Sequence, residues 1–214
     1  AIVAWGDYRG VSYDIYVQRV NAYGVVQWTT DGVALCTATG NQSSPKVVSD
    51  GSGGAIVTWP DDRSGNYDIY AQRVNASGVV QWTPNGVAIC SATGNQSYPT
   101  IVSDDLGGAI ITWRDYRNGN NDIYVQRVNA SGAVQWKSNG LPLCSATGSQ
   151  LTPTIAADGT GGAIVTWDDN RSGNYDIYAQ SVNASGAVQW TADGVVLCAA
   201  TGNQHSPAIV TDGL

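Results

Sequence analysis

Short apolar runs alternate with polar turn sequences along the whole chain, and this pattern predicts β-strands. In one stretch the apolar runs are 99–103, 109–113, 122–128 and 133–136, and Gly, Asn, Asp and Ser fill the intervals. Runs of this length with such boundaries are typical of antiparallel hairpins. We therefore predict a four-stranded meander, with strands A, B, C and D in chain order.

The two middle strands carry apolar residues on both faces. Ala109 and Ile110 in strand B, like Ile123 and Tyr124 in strand C, point to opposite sides because side chains alternate along a strand. A sheet with one solvated face would alternate apolar and polar residues more cleanly. Sheets covered on both faces and repeated around an axis describe a β-propeller. A parallel β-helix is the alternative, but its coils are shorter and lack three tight hairpins per repeat.

The meander recurs four times with a period of 54 residues, which nearly accounts for all 214 residues. Units of this size do not bury a core alone and stack into arrays. We predict an all-β fold, a four-bladed propeller that forms one domain over residues 1–214. The repeat units are approximately 1–54, 55–108, 109–162 and 163–214.

The repeat opens in strand B, at residues 1–5, and closes in strand A, at residues 206–212. We expect residues 206–212 to supply strand A of the first blade, so that a monomeric ring closes on itself. Closure would hide the sheet edges that otherwise invite aggregation. Two chains could instead exchange their closing strands in an eight-bladed dimer. The chain could also be a piece of a longer array.

Composition supports strands and excludes some partners. All 17 acidic residues are Asp; Glu, Met and Phe are absent, and 26 residues are Gly. Asp and Gly favour turns, whereas the missing Glu and Met are good helix formers. A net charge of −7 with ten Lys and Arg argues against nucleic acid and anionic membranes as partners. No apolar run is long enough to insert into a membrane.

The four cysteines occupy equivalent positions. Equivalent residues lie a blade apart, which exceeds the separation that a disulfide allows. We expect buried thiols that pack between blades. The residues are Cys36, Cys90, Cys144 and Cys198.

Two sets of residues are candidates for ligand binding. A tryptophan near the end of each strand B could stack on a sugar ring, or it could pack between blades. A second set varies from blade to blade in the loop after strand B, and binding residues often occupy such loops, although neutral drift gives the same pattern. The tryptophans are Trp5, Trp59, Trp113 and Trp167, and the varying loop residues are Tyr8, Asp62, Tyr116 and Asn170.

An Asp-x-Arg motif follows each of these tryptophans, and an Asp-Ile-Tyr triplet follows the motif. An arginine between two carboxylates can pin the loop through forked hydrogen bonds. The alternative is a Ca²⁺ site, since carboxylate and amide oxygens occur at loop spacing. The candidate ligands are Asp61, Asp62, Asn66 and Asp68. No other cofactor is indicated.

The segment 55–70 resembles units of bacterial secreted or cell-surface propellers related to the sialidase-type (BNR) repeats. It reads Ala-Ile-Val-Thr-Trp-x-Asp-x-Arg-Ser-Gly-Asn-Tyr-Asp-Ile-Tyr. The resemblance covers all four units and implies a propeller blade and a secreted or cell-surface location. Sialidases pair a tyrosine nucleophile with a Glu, and this chain has no Glu, so their catalytic residues are not carried over.

Three functions remain open. We expect a non-catalytic binding module with repeated, near-equivalent loop sites for glycans or proteins, since linked weak sites gain avidity. A purely structural or protein-interaction ring of a larger surface protein is the alternative. A glycosidase with two Asp carboxylates is the third, but no Asp pair departs from the four-fold pattern.

Overall fold

The computed structural model describes residues 1–212, which form four successive antiparallel sheets. The first sheet contains β1 (Ile2–Asp7), β2 (Asp14–Arg19) and β3 (Val33–Cys36). The second contains β4 (Lys46–Ser49), β5 (Ala55–Asp61), β6 (Asp68–Val74) and β7 (Val87–Cys90). The third contains β8 (Gln96–Ser103), β9 (Ala109–Asp115), β10 (Asp122–Val128) and β11 (Leu141–Cys144). The fourth contains β12 (Gln150–Ala157), β13 (Ala163–Asp169), β14 (Asp176–Val182) and β15 (Val195–Cys198).

This arrangement confirms the predicted all-β fold of four repeated blades. Within each blade, strands that are consecutive in the chain are also neighbours in the sheet. The A strands β4, β8 and β12 contact one another from blade to blade, so they form the inner side of the array. No helix within residues 1–212 is long and apolar enough to cross a membrane.

The predicted position of strand D is wrong. Residues 133–136 form only an isolated bridge, between Val128 and Val134, and the fourth strand is β11. The cause is a side chain: Gln126 accepts a hydrogen bond from Trp136 N at 2.9 Å and donates one to Lys137 O at 2.8 Å. Gln135 N still donates to Arg127 O at 2.8 Å, but the glutamine amide takes the place of further ladder bonds at residues 136 and 137.

The closing strand of the first blade is not observed. Residues 206–212 adopt no strand, and β1 has β2 as its only strand partner within the described chain. Closure of the ring therefore stays a prediction, and residues 213–214 lie outside the described residues.

Three apolar clusters hold the blades together, one at each contact between successive blades. The cluster between the second and third blades joins Ile69 and Ile89 to Ala109, Ile111 and Trp113. Each cluster takes its side chains from two sheets, so no sheet completes a core by itself. This confirms the expectation that a single unit depends on its neighbours.

A glycine lies against each buried strand-B tryptophan. Gly140 has a φ of +87°, and a Cβ atom there would lie 2.5 Å from Trp113 Cη2. This position requires both the left-handed backbone and the missing side chain. Gly119 also has a positive φ, of +90°, but a Cβ atom there meets nothing within 4 Å.

We expect Gly140→Ala to lower the free energy of unfolding by about 2–4 kcal/mol, because it combines backbone strain with overpacking against Trp113. Gly119→Ala is the matched control and should cost about 1 kcal/mol, from the backbone alone. Urea unfolding followed by tryptophan fluorescence measures both. Equal losses in the two variants would contradict the packing role of Gly140.

Candidate functional site

One end of the sheets collects most of the residues that vary between blades. In the third blade the start of strand A, the end of strand B and the start of strand C are in register, with Asp115 paired to both Gln96 and Asp122. The loops between strands B and C and the segments that precede strand A therefore lie together. We call this end of the array the BC face. The A–B and C–D turns lie at the opposite end.

An aspartate–arginine pair anchors each B–C loop. Arg117 donates to both carboxylate oxygens of Asp115, through Nε at 2.8 Å and through its NH2 nitrogen. Trp113 Nε1 donates to the same carboxylate at 2.9 Å. The arginine also donates to Asn139 O at 2.8 Å and contacts Cys90 Sγ of the preceding blade at 3.2 Å. We call this arrangement the Asp–Arg clamp; it recurs at Asp61–Arg63 and Asp169–Arg171.

The expectation that each arginine bridges two carboxylates is wrong. The fork reaches only the aspartate of the Asp-x-Arg motif. The second carboxylate, Asp122, accepts hydrogen bonds from Asn118 at 2.7 Å and Asn120 at 3.0 Å instead. Burial raises the pKa of Asp122, and these amide donors only partly oppose it. The B–C loop is thus held by two separate carboxylates with different partners.

The four candidate calcium ligands already accept hydrogen bonds from, or donate them to, protein groups. Asp61 forms a salt bridge with Arg63. Asp68 accepts hydrogen bonds from Ser64 at 2.8 Å and from Asn66 at 3.0 Å. Asp62 accepts from the backbone and side chain of Asn41. Over residues 1–212 no group of three or more His, Cys, Asp or Glu side chains is arranged to hold a metal ion. The geometry gives no support for Ca²⁺ at these residues.

The strand-B tryptophans pack between blades. Trp59, Trp113 and Trp167 are fully buried, so no ring face is open to a sugar. Trp5 is only partly buried and stacks on Tyr16, with 6.3 Å between ring centroids. The stacking role is therefore not retained for the three buried tryptophans, because their rings fill the inter-blade core.

The varying loop residues do lie on the BC face, each in the B–C loop of its own blade. Tyr8 and Tyr116 are exposed, whereas Asp62 and Asn170 are half-buried against the linker from the preceding blade. Asn170 N donates to Ser149 O at 3.0 Å. Asp62 and Asn170 thus also serve the contact between blades.

The cysteine thiols are free, and three of them are buried. Burial raises the pKa of Cys36 to about 11 and the pKa values of Cys90 and Cys144 to about 12. Thiols with such pKa values are poor nucleophiles and metal ligands at neutral pH. The expected packing role is confirmed for these three, and Cys198 is half-buried.

A groove that the sequence did not predict opens on the BC face between the second and third blades. Its volume is about 380 Å³, and its lining is mainly apolar and hydroxylic. The lining residues are Ser43, Ser44, Lys46, Pro60, Tyr67, Ser97, Tyr98 and Pro99. We call it the Tyr98 groove. None of these residues is among the binding candidates that the sequence predicts.

Tyr98 is the residue that distinguishes this groove. It is 64% exposed, has a φ of +53° and lies under the Arg114 guanidinium, 3.7 Å from its ring centroid. The equivalent residues Ser44, Thr152 and Ser206 share the positive φ, so all four blades contain the same strained bend. A bulky residue at positive φ is uncommon, and such strain often marks a binding or catalytic site.

The corresponding region between the fourth blade and the segment that follows it, residues 203–207, has different chemistry. Asp168 is buried and accepts hydrogen bonds from Thr152 Oγ1 at 2.9 Å and Ser206 N at 2.8 Å. His205 Nδ1 lies 3.4 Å from the same carboxylate, and its ring lies on Tyr175. The BC face therefore presents distinct sites and not four equivalent ones.

Comparisons with known proteins place the fold only. No protein-family model and no curated protein matches the chain. A solved structure of a putative TolB from Agrobacterium tumefaciens is similar, with a TM-score of 0.50 and 18% identity over 88% of this chain and 60% of that one. A glycosyl hydrolase from Bacteroides ovatus has a TM-score of 0.48 and 13% identity, over 91% and 62% of the two chains. An endo-arabinase from Bacteroides thetaiotaomicron has a TM-score of 0.48 and 15% identity, over 92% and 77%.

This chain spans about three fifths of the length of the first two structures. At these identities the likeness concerns the fold, a propeller-like array of repeated antiparallel sheets.

We expect Asp169→Asn to lower the free energy of unfolding by about 3 kcal/mol at pH 7, because Arg171 loses its charged partner inside the clamp. Asp105→Asn, in an exposed turn, is the control for removing one charge and should be nearly neutral. Urea unfolding measures both variants.

The loss of stability caused by Asp169→Asn, relative to wild type, should depend on pH. Burial raises the pKa of Asp169, but hydrogen bonds from Arg171 and Trp167 outweigh burial and hold this pKa below its ordinary value. A carboxylate with a lowered pKa stabilises the fold above the unfolded-state value, about 3.9, and the effect is lost as pH falls. The difference between wild type and Asp169→Asn should therefore shrink below about pH 4. A difference that stays constant down to pH 2 would contradict the clamp.

Proposed function

We propose that the chain is a non-catalytic binding propeller of the cell exterior and that the Tyr98 groove receives a neutral carbohydrate. The observation that carries this proposal is the pair of tyrosines, Tyr67 and Tyr98, in one groove of about 380 Å³. Ligand sites of this size combine an apolar or aromatic lining with a few polar groups. The resemblance of residues 55–70 to secreted propellers supports the location.

The chemistry of the groove suits a sugar ring. Tyrosine offers an apolar ring face and a hydroxyl, so it can contact both the C–H face and the hydroxyls of a pyranose. Ser43, Ser44 and Ser97 add further hydroxyl groups, and Lys46 adds a donor. The overall charge of −7 does not repel a neutral ligand.

Non-catalytic binding is favoured by the state of the reactive side chains. A glycosidase needs two carboxylates that flank a substrate. Asp61 and Asp115, at the ends of the strands that border the groove, are both buried and held in Asp–Arg clamps. His205 lies against Asp168, in a different blade from the groove.

A protein ligand is the second candidate, and the first blade favours it. Tyr8, Val11 and Tyr13 are all exposed in one B–C loop, and the two tyrosine rings lie 5.0 Å apart. Exposed aromatic and aliphatic side chains that lie together are typical of protein-binding surfaces.

The experiment is a glycan-array screen of the purified chain, run with Ca²⁺ and again with EDTA. We expect binding to one class of neutral glycan that EDTA does not reduce, because the candidate calcium ligands are already held by protein groups. Tyr98→Ala should weaken this binding at least about tenfold, the loss typical of a central aromatic contact.

Leu106→Ala is the matched control, since Leu106 is exposed in an A–B turn at the opposite end of the array. It should leave binding unchanged. An array with no bound glycan, or an equal loss of glycan binding in the two variants, would contradict the carbohydrate proposal and leave a protein ligand as the candidate.

A further inference from the structure

The three contacts between successive blades repeat the same side-chain bonds. Between the second and third blades, Trp82 Nε1 and Arg73 both donate to Ala130 O, at 3.0 and 3.1 Å. Ser91 N donates to Asn139 Oδ1 at 3.0 Å. The other two contacts use Trp28 and Arg19 on Ala76 O, and Trp136 and Arg127 on Ala184 O. We call this arrangement the blade joint. Its leading half holds the donors, here Arg73, Trp82 and Ser91, and its receiving half holds the acceptors on the next blade, here Ala130 and Asn139.

The fourth blade presents a leading half that is exposed. Leu197 is 61% exposed, whereas its equivalents Leu35, Ile89 and Leu143 are each 2% exposed inside a joint. Trp190 is exposed as well, whereas its equivalent Trp82 is buried. The apolar position that is buried three times inside the chain, at Leu35, Ile89 and Leu143, thus faces solvent at Leu197, beside the exposed Trp190.

The first blade presents the matching receiving half. Gly78, Gly132 and Gly186 each lie under the tryptophan of the preceding blade, and a Cβ atom there would approach the indole ring within 2.8 Å; Gly24, their equivalent, meets nothing within 4 Å. On β1, Val3 is 51% exposed, although the equivalent strand-B residues are buried. The two halves have opposite roles, so each fits the other and neither fits itself.

The segment before residue 207 is arranged to enter a following blade. Tyr175 N donates to Asn203 Oδ1 at 3.0 Å, and Gln204 N donates to Tyr175 O at 2.7 Å. Tyr67, Asn95 and Gln96 make the same two bonds just before strand A of the third blade. Ser206 also has the positive φ found at the start of every strand A. Val210, further along, is 83% exposed.

We propose that the leading half of the fourth blade, with residues 207–210, docks on the first blade of a second copy of this chain. All three joints inside the chain use the same bonds, so each places the next blade in the same orientation relative to the one before it. A fourth joint of this kind places residues 207–210 beside a strand equivalent to β1. Both halves are exposed in the same chain, so two copies related by a two-fold axis form two such joints at once. The product is a ring of eight blades without a free edge.

The joint between copies is weaker than the joints within a chain. Arg19, Arg73 and Arg127 each donate across a joint to a backbone carbonyl, and Ser181 stands at the fourth equivalent position. A serine side chain is too short to make this bond. The ring therefore separates into two four-bladed chains before the blades of either chain come apart.

Disulfide trapping tests the proposal. The pairs Val47–Val57, Ile101–Ile111 and Ile155–Val165 place Ile209 opposite Val3 in the docked arrangement. Residues directly opposite in an antiparallel pair have Cα atoms about 4.5–5.5 Å apart, which allows a disulfide. Val3→Cys and Ile209→Cys are placed in separate chains, each with Cys198→Ser to remove the one thiol that is not fully buried.

Mixing the two chains under oxidising conditions should give a cross-linked heterodimer. A chain with Val11→Cys in place of Val3→Cys is the control, since Val11 is exposed in a loop outside the joint. It should give no cross-link with the Ile209→Cys chain. A chain that carries both Val3→Cys and Ile209→Cys separates the sources: a cross-linked monomer from it would show that the ring closes within one chain and would overturn the proposal.

Light scattering of the unmodified chain gives an independent readout. A dimer is expected. Ser181→Arg should lower its dissociation constant about tenfold, because it restores a charge-assisted hydrogen bond across the joint. A monomer at every concentration, unchanged by Ser181→Arg, would overturn the proposal even if single variants fold poorly.

Discussion

The Asp–Arg clamp is the interaction on which the rest of the structure depends. Asp115 is buried, and its two oxygens accept from Trp113 and from both ends of the Arg117 fork. A buried carboxylate is tolerated only when it is paired and hydrogen-bonded, so every group around it is fixed in position. Because the same guanidinium also reaches Asn139 O and Cys90 of the preceding blade, one ion pair sets a strand, a loop and a blade contact together.

This constraint separates the interior of the repeat, which is the same in the four blades, from the BC face, which varies between them. The tryptophan, the clamp and the glycine against the indole act as one unit, so changing any of them disturbs a joint. Residues just before strand A are free of the clamp and vary between blades: Ser44, Tyr98, Thr152 and Ser206 share one strained backbone conformation but carry three kinds of side chain. Function in such an array is therefore expected where the backbone repeats and the side chain does not.

Strands A, B and C could be predicted because their signal is local, since apolar alternation and turn residues lie within a few positions of one another. Strand D was misplaced because Gln126 satisfies the backbone around Trp136 with its side chain, and the sequence pattern does not show this. The Tyr98 groove was missed for a different reason. Tyr67 and Tyr98 come from different blades, and only the packing of one blade on the next brings them together.

Identical joints have a further physical consequence for the two terminal blades. A leading half and a receiving half that fit inside the chain must also fit when they face solvent, because the same side chains form them. The difference between an internal and a terminal joint is then a matter of covalent connection and of single residues such as Ser181. Where arginine gives way to serine, a joint loses a bond to the backbone and keeps its apolar contact. Apolar contact without that bond favours an association that is specific in geometry yet reversible.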